Sequence, residues 1–427
     1  VGVGINVNLM PGGALDLGTR SLVKQGAGEQ VLVGGATLGG LVVQAGRLVV
    51  DQQQLKTRIL RVEAGAVLAL TDPAQTSADP LRVRTALLLG ASPFESVHMG
   101  LDLGNVLDGP AGPGGVTLSG PRVVATIGTG GRYTGATVAA DGALLRLQAD
   151  SMGSRTLVAR DGGSVQFNRP GGVPALFDAT GKALRTDASG VINYGGATLL
   201  GGTLRGVGHQ VTHAAGTLDG STLAANAVLT AAAPLTLRNA SLFGTTTAGS
   251  ALLVDGALLG AGGRLQVLAE ATLVDLAVQG GLLELQAGAA ASVANGLAAA
   301  GGGRITLAAG ATLGGDGIDL AGALLVNNGS IGAPLAIHAL GRAKGAGSFG
   351  TVLVDDGGVF APGNSPAVVH SGAATLGEGG QFEVELADAT GAPGSGWDMW
   401  AVDGLASFAA GTTTSSRFTL RLLGLGA

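Results

Sequence analysis

Few side chains in this 427-residue chain have a type and spacing that could do chemistry. His209 and His213 lie four residues apart and could each ligate zinc if a helix aligned them. Their context, Arg205-Gly206-Val207-Gly208-His209-Gln210-Val211-Thr212-His213, alternates like a strand or turn and holds no third ligand. The expectation is therefore a pair of outward-facing histidines on a polar strip. Gly314-Gly315-Asp316-Gly317-Ile318-Asp319-Leu320-Ala321 fits the calcium repeat Gly-Gly-x-Gly-x-Asp-x-U-x, except that a small Ala321 stands where a large aliphatic belongs. Calcium in that motif sits between successive turns and needs tandem copies. This copy stands alone, so Asp316 and Asp319 are weak calcium candidates and a Gly-Asp corner is the plainer reading.

Two carboxylates roughly 5 to 9 Å apart suffice for glycoside hydrolysis, and adjacent turns of a stacked protein could supply them. The candidates are Asp355-Asp356, Asp316 with Asp319, and Arg160-Asp161 near Asp178. None carries a recognisable motif, and Asp beside Gly commonly forms turns. There is no Gly-x-Ser-x-Gly elbow and no phosphate loop with lysine. No catalytic residue, metal or cofactor is assigned. Recognition has a better address in residues 150–195, the most decorated part of the chain. A loop projected there from a rigid scaffold would present Arg155, Arg160, Asp161, Phe167, Asn168, Arg169 and Tyr194 as binding residues.

The elements that must position these residues show in the glycine pairs. Gly262-Gly263, Gly280-Gly281, Gly302-Gly303 and Gly322 follow one another at intervals of 18, 22 and 20 residues. Each precedes a short strand of alternating character: Leu283 and Leu285 against Glu284 and Gln286, or Ile305 and Leu307 against Arg304 and Thr306. A period of about 20 residues signals stacked repeats, because one such turn buries too little apolar surface to fold alone. The predicted fold is all-β: a right-handed parallel β-helix, or β-solenoid, of about 20 residues per turn. With 79 Gly and 46% hydrophobic but only 3% aromatic residues, its core must be narrow.

The predicted organisation is N-terminal solenoid turns over 1–70, a loop excursion over the Pro-rich 71–115, the main solenoid over 116–359 and a closing module over 360–427. The absence of Cys excludes disulfides, thiolate metal sites and cysteine nucleophiles. Charged residues make up 12% and the net charge is −5, so there is no basic footprint for nucleic acid. No uncharged window is apolar enough to span a bilayer. The opening at Val1 and the Gly-Leu-Gly-Ala tail are expected of a segment of a longer precursor.

Pro362-Gly363-Asn364-Ser365-Pro366, the Glu-x-Glu strand at Glu383 to Glu385, and the aromatic-Asp-x-x-x-Val-x-Gly segment from Trp397 to Gly404 resemble the closing module of autotransporter-type passenger repeats. Both tryptophans lie there, as a distinct C-terminal β cap would need. The resemblance implies parallel β-helices displayed on or released from Gram-negative cells as adhesins or matrix components. The barrel or sorting signal that separates their export routes is not in this segment, so the route is open. The expected function is an extracellular structural or adhesive rod, with host or matrix glycans, surfaces or other copies of itself as partners and with filament assembly through its open ends. The alternatives are a polysaccharide lyase or hydrolase, or a non-catalytic glycan-binding module.

Overall fold

The computed structural model describes residues 15–32, 36–50, 115–121, 123–129, 133–148, 154–167, 175–364, 366–409 and 417–425, with short strand segments between 55 and 108. These residues form strands and turns without any helix. The strands pair in parallel as a β-solenoid of about 14 turns, about 20 residues each. The chain divides into two units, Val1–Gly216 and Thr217–Ala427.

The second unit shows why the repeat folds as it does. Three strands make a turn, as in Leu324–Asn327 on a first face, Ser330–Ile331 on a second and Leu335–His338 on a third. On the first face, Leu229, Thr246, Leu265, Leu283, Ile305, Leu325, Ala343, Phe360 and Phe382 stack in register on successive turns. Leu265, Leu283, Ile305 and Leu325 are completely buried, while their neighbours Glu284 and Thr306 face outward. A period-2 side-chain pattern combined with a turn period near 20 therefore builds an interior column from each strand.

Corners complete the turn. Between the second and third faces the chain bends through left-handed Asn239, Asp275 and Asn295, with φ of 48°, 48° and 59°, residue types whose short polar side chains tolerate that region. Between the third and first faces the glycine pairs do the same, with φ of 78°, 74°, 79° and 66° at Gly262, Gly280, Gly302 and Gly322. One turn departs: Ala339 and Leu340 occupy the left-handed region at this corner, with φ of 46° and 69°.

The first unit obeys the same parity. Leu145, Val165, Ile192 and His209 are register partners on successive turns, and Thr137, Leu157, Leu184 and Leu204 form a second column. His209 is thus an interior residue, 1% exposed, which corrects the outward-facing expectation; His213, at a left-handed corner, is exposed. Residues 150–195 are not a projecting loop where described. They supply the strands Thr156–Ala159, Ser164–Phe167, Ala175–Asp178, Ala183–Thr186 and Val191–Asn193. Likewise, the described parts of 71–115 are parallel strands, among them Leu87–Gly90 and Val97–Asp102.

The closing module continues the coil. Gln381–Leu386 pairs in parallel with both Val359–Pro362 and Thr419–Gly424, and Met399–Val402 pairs in parallel with Val368–Ser371. The aromatic cluster fills these turns from within: Trp400 lies 4.3 Å from Phe360 and 5.4 Å from Phe382, centroid to centroid. Asp398 ties the module together, accepting the backbone N–H groups of Ala367 and Glu385 at 2.8 Å each. Burial pushes its carboxyl pKa up, against the pull of those two donors.

Candidate functional site

On the third face of the second unit, Ala277, Ala298, Asp319, Ala336 and Leu353 are outward-facing register partners on five successive turns. Three of the five are alanines. The facet is therefore low, and against the higher corner carrying Asp275 and Asn295 it forms a groove of about 570 Å³. Asp275 and Asn295 hold that rim together, since Asn295 Nδ2 donates to Asp275 Oδ2 at 3.4 Å and the Asn295 backbone N–H donates to Asp316 Oδ2 at 2.9 Å.

Asp319 rises from the groove floor with a side chain 54% exposed, and His338 orients it. His338 Nε2 lies 2.7 Å from Asp319 Oδ1 and donates to it, because a carboxylate only accepts. On the other side, His338 Nδ1 is 3.8 Å from Asp355 Oδ1, an ion-pair distance and too long for a hydrogen bond. That Asp355 oxygen is buried with no hydrogen-bond partner among the described residues. Three turns thus contribute one residue each to a carboxylate, imidazole, carboxylate line whose outer end stands in the groove. Such a line can hold Asp319 as a positioned acceptor, and protonated His338 would place a cation between two anions.

Two interior polar clusters lie in the first unit. The Tyr194 hydroxyl meets His209 Nδ1 at 2.8 Å, and His209 Nε2 meets the Arg205 carbonyl oxygen at 3.0 Å. The carbonyl can only accept, so neutral His209 carries its proton on Nε2 and Nδ1 accepts from the tyrosine. Burial pushes the His209 pKa down to about 4 and holds Tyr194 well above its usual value. Both groups stay neutral at pH 7. Tyr133 bonds the Thr137 hydroxyl, which donates to Ser154 Oγ at 3.0 Å; burial pushes the Tyr133 pKa up to about 12.

In the second unit, Glu383, 4% exposed, is clamped between Arg421 Nη1 at 3.1 Å and Arg342 Nη2 at 2.5 Å. The Arg421 contact is a hydrogen bond, whereas the Arg342 contact is an ion pair without hydrogen-bond alignment. A smaller recess of about 210 Å³ adjoins this clamp.

The sequence-derived candidates are dispersed. Phe167 and Tyr194 are 4% and 0% exposed and stack on each other in the interior at 5.5 Å, so they are not surface contacts for a ligand. Arg155 is exposed, and Arg160 and Asp161 are half-exposed and 3.7 Å apart. Asn168 and Arg169 lie outside the described residues. Asp178 caps its own turn, accepting the Thr180 N–H at 2.9 Å. Asp316 caps the Asn295 corner while Asp319 turns to His338, so the two carboxylates of the calcium-like motif have separate partners. Among the described residues no group of three or more His, Asp or Glu is arranged to hold a metal ion. Asp356 forms a left-handed corner while Asp355 faces His338.

His338 was not among the residues singled out, although a signal for it exists. Asp319, His338 and Asp355 follow at intervals of 19 and 17 residues, about one turn each. No family model matches the chain, and no curated protein and no solved structure match it.

Proposed function

We propose that the protein is an exported adhesive or structural scaffold, of the kind that the autotransporter-type resemblance of Pro362 to Gly404 implies. The observation that supports this most directly is the regularity of the second unit. Interior columns fix every turn to its neighbours, which leaves long outward facets of fixed spacing on which contacts can repeat. The parallel turns also present strand edges suited to pairing with another copy. Among the described residues, no helix is long and apolar enough to cross a membrane.

Attachment of the purified protein to matrix- and glycan-coated surfaces, measured alongside light scattering over a concentration series, tests this reading. Saturable attachment or concentration-dependent association is expected; a monodisperse protein that attaches to nothing contradicts it. The glycan-cleaving reading has one observation in its favour, the two carboxylates flanking His338 on neighbouring turns. It requires release of reducing ends that disappears in Asp319→Asn.

A further inference from the structure

We propose that the groove on the third face binds a neutral polysaccharide, with the Asp319 carboxylate as its anchor. The proposal deepens the adhesive reading by naming a ligand class, and it rests on that reading.

Shape comes first. Ala277, Ala298 and Ala336 offer nothing larger than a methyl group, so a broad ligand can approach the sheet closely. The groove crosses five turns, about 19 Å at ~4.8 Å per turn. That suits an extended chain of repeating units better than a single small molecule.

Charge selects among chains. The lining carries Asp275 and Asp319 and no Lys or Arg, so an acidic polysaccharide would meet repulsion with no compensating cation. A cationic peptide is a poorer match than a hydroxylated chain, because each carboxylate already accepts an N–H: Asp319 from His338 at 2.7 Å and Asp275 from Asn295 at 3.4 Å. What each carboxylate retains is lone-pair capacity for neutral O–H donors, whose bonds to an anion are charge-assisted. Asn295 adds an amide at the rim. With no aromatic platform in the lining, affinity rests on these acceptors and on contact with the alanine floor, which places Kd in the range of ~1 mM.

The test is a titration of the full chain with neutral hexasaccharides of differing linkage, including cello-, xylo- and manno-oligosaccharides, with hexagalacturonate and hexalysine as charged comparisons. At least one neutral ligand is expected to bind, at least about tenfold more weakly in Asp319→Ala and in Ala298→Leu. The second variant keeps every polar group and fills the floor, and an unchanged melting profile shows that it is folded. The groove proposal is overturned if no neutral ligand binds, if hexalysine binds more tightly than any of them, or if both variants bind as the parent does. Wild-type attachment to surfaces that survives both substitutions sinks the groove alone; no attachment by the wild type sinks the adhesive reading.

Discussion

Two histidines, one in each unit, show how placement in a turn decides what a residue does. His209 stands in an interior column after Leu145, Val165 and Ile192, is held by Tyr194 and the Arg205 carbonyl, and is kept neutral by burial. His338 closes an outward-facing strand, a third exposed, with a carboxylate on either side. The contrast teaches that side-chain chemistry in a solenoid is set by parity and corner. The same imidazole is a structural element at one position and a surface group at another.

The comparison breaks first at Tyr194. Replacing it in Tyr194→Ala empties a fully buried aromatic site and strands His209 Nδ1, so a loss of about 3–5 kcal/mol is expected in denaturant unfolding.

Acid is the next largest lever. The His209 pKa is lowered from the usual 6.5 to about 4 in the folded chain, so between these values the unfolded state binds more protons. The stabilisation is fully present above about pH 6.5 and is lost as pH falls toward 4, about 3 kcal/mol in all at 1.36 kcal/mol per pH unit. In His209→Leu the slope of stability against pH over that window should flatten; an unchanged slope would assign the acid loss to other groups.

A smaller gain is expected beside His338. Leu340 is 81% exposed in the left-handed region, where other turns use glycine, so Leu340→Gly relieves strain at little cost in burial and should raise stability by about 1 kcal/mol. Smallest of all, His338→Ala should change stability by less than about 1 kcal/mol, because partly exposed ion pairs contribute little. A loss there as large as that at Tyr194 would erase the distinction between the two sites.

The part of this architecture that sequence reveals is the part written in repeated local pattern. Gly280-Gly281 followed by Leu283 and Leu285 announces a corner and a half-buried strand, and the structure has both. Three strands per turn are harder to see, because elements such as Ser330–Ile331 are too short to alternate visibly. Tyr194 and His209 read as surface decoration by residue type, whereas burial follows from register with strands one turn earlier. The pairing of Asp319 with His338 across 19 residues depends on the turn length, which varies by a residue or two from turn to turn. Local chemistry points to Asp316 as the partner of Asp319, and the corner between them separates the two.

The central claim is that neighbouring turns stack in parallel and in register, and a cysteine pair tests it most directly because the native chain contains none. Thr306 and Val326 are outward-facing register partners on adjacent turns, and Thr306 and Lys344 lie two turns apart along the same column. Under mild oxidation, Thr306→Cys with Val326→Cys should cross-link nearly completely, since stacked strands bring Cα atoms within disulfide range at about 4.8 Å, while Thr306→Cys with Lys344→Cys should not. Failure of the first pair, or equal cross-linking of the second, would contradict the stacked-turn architecture.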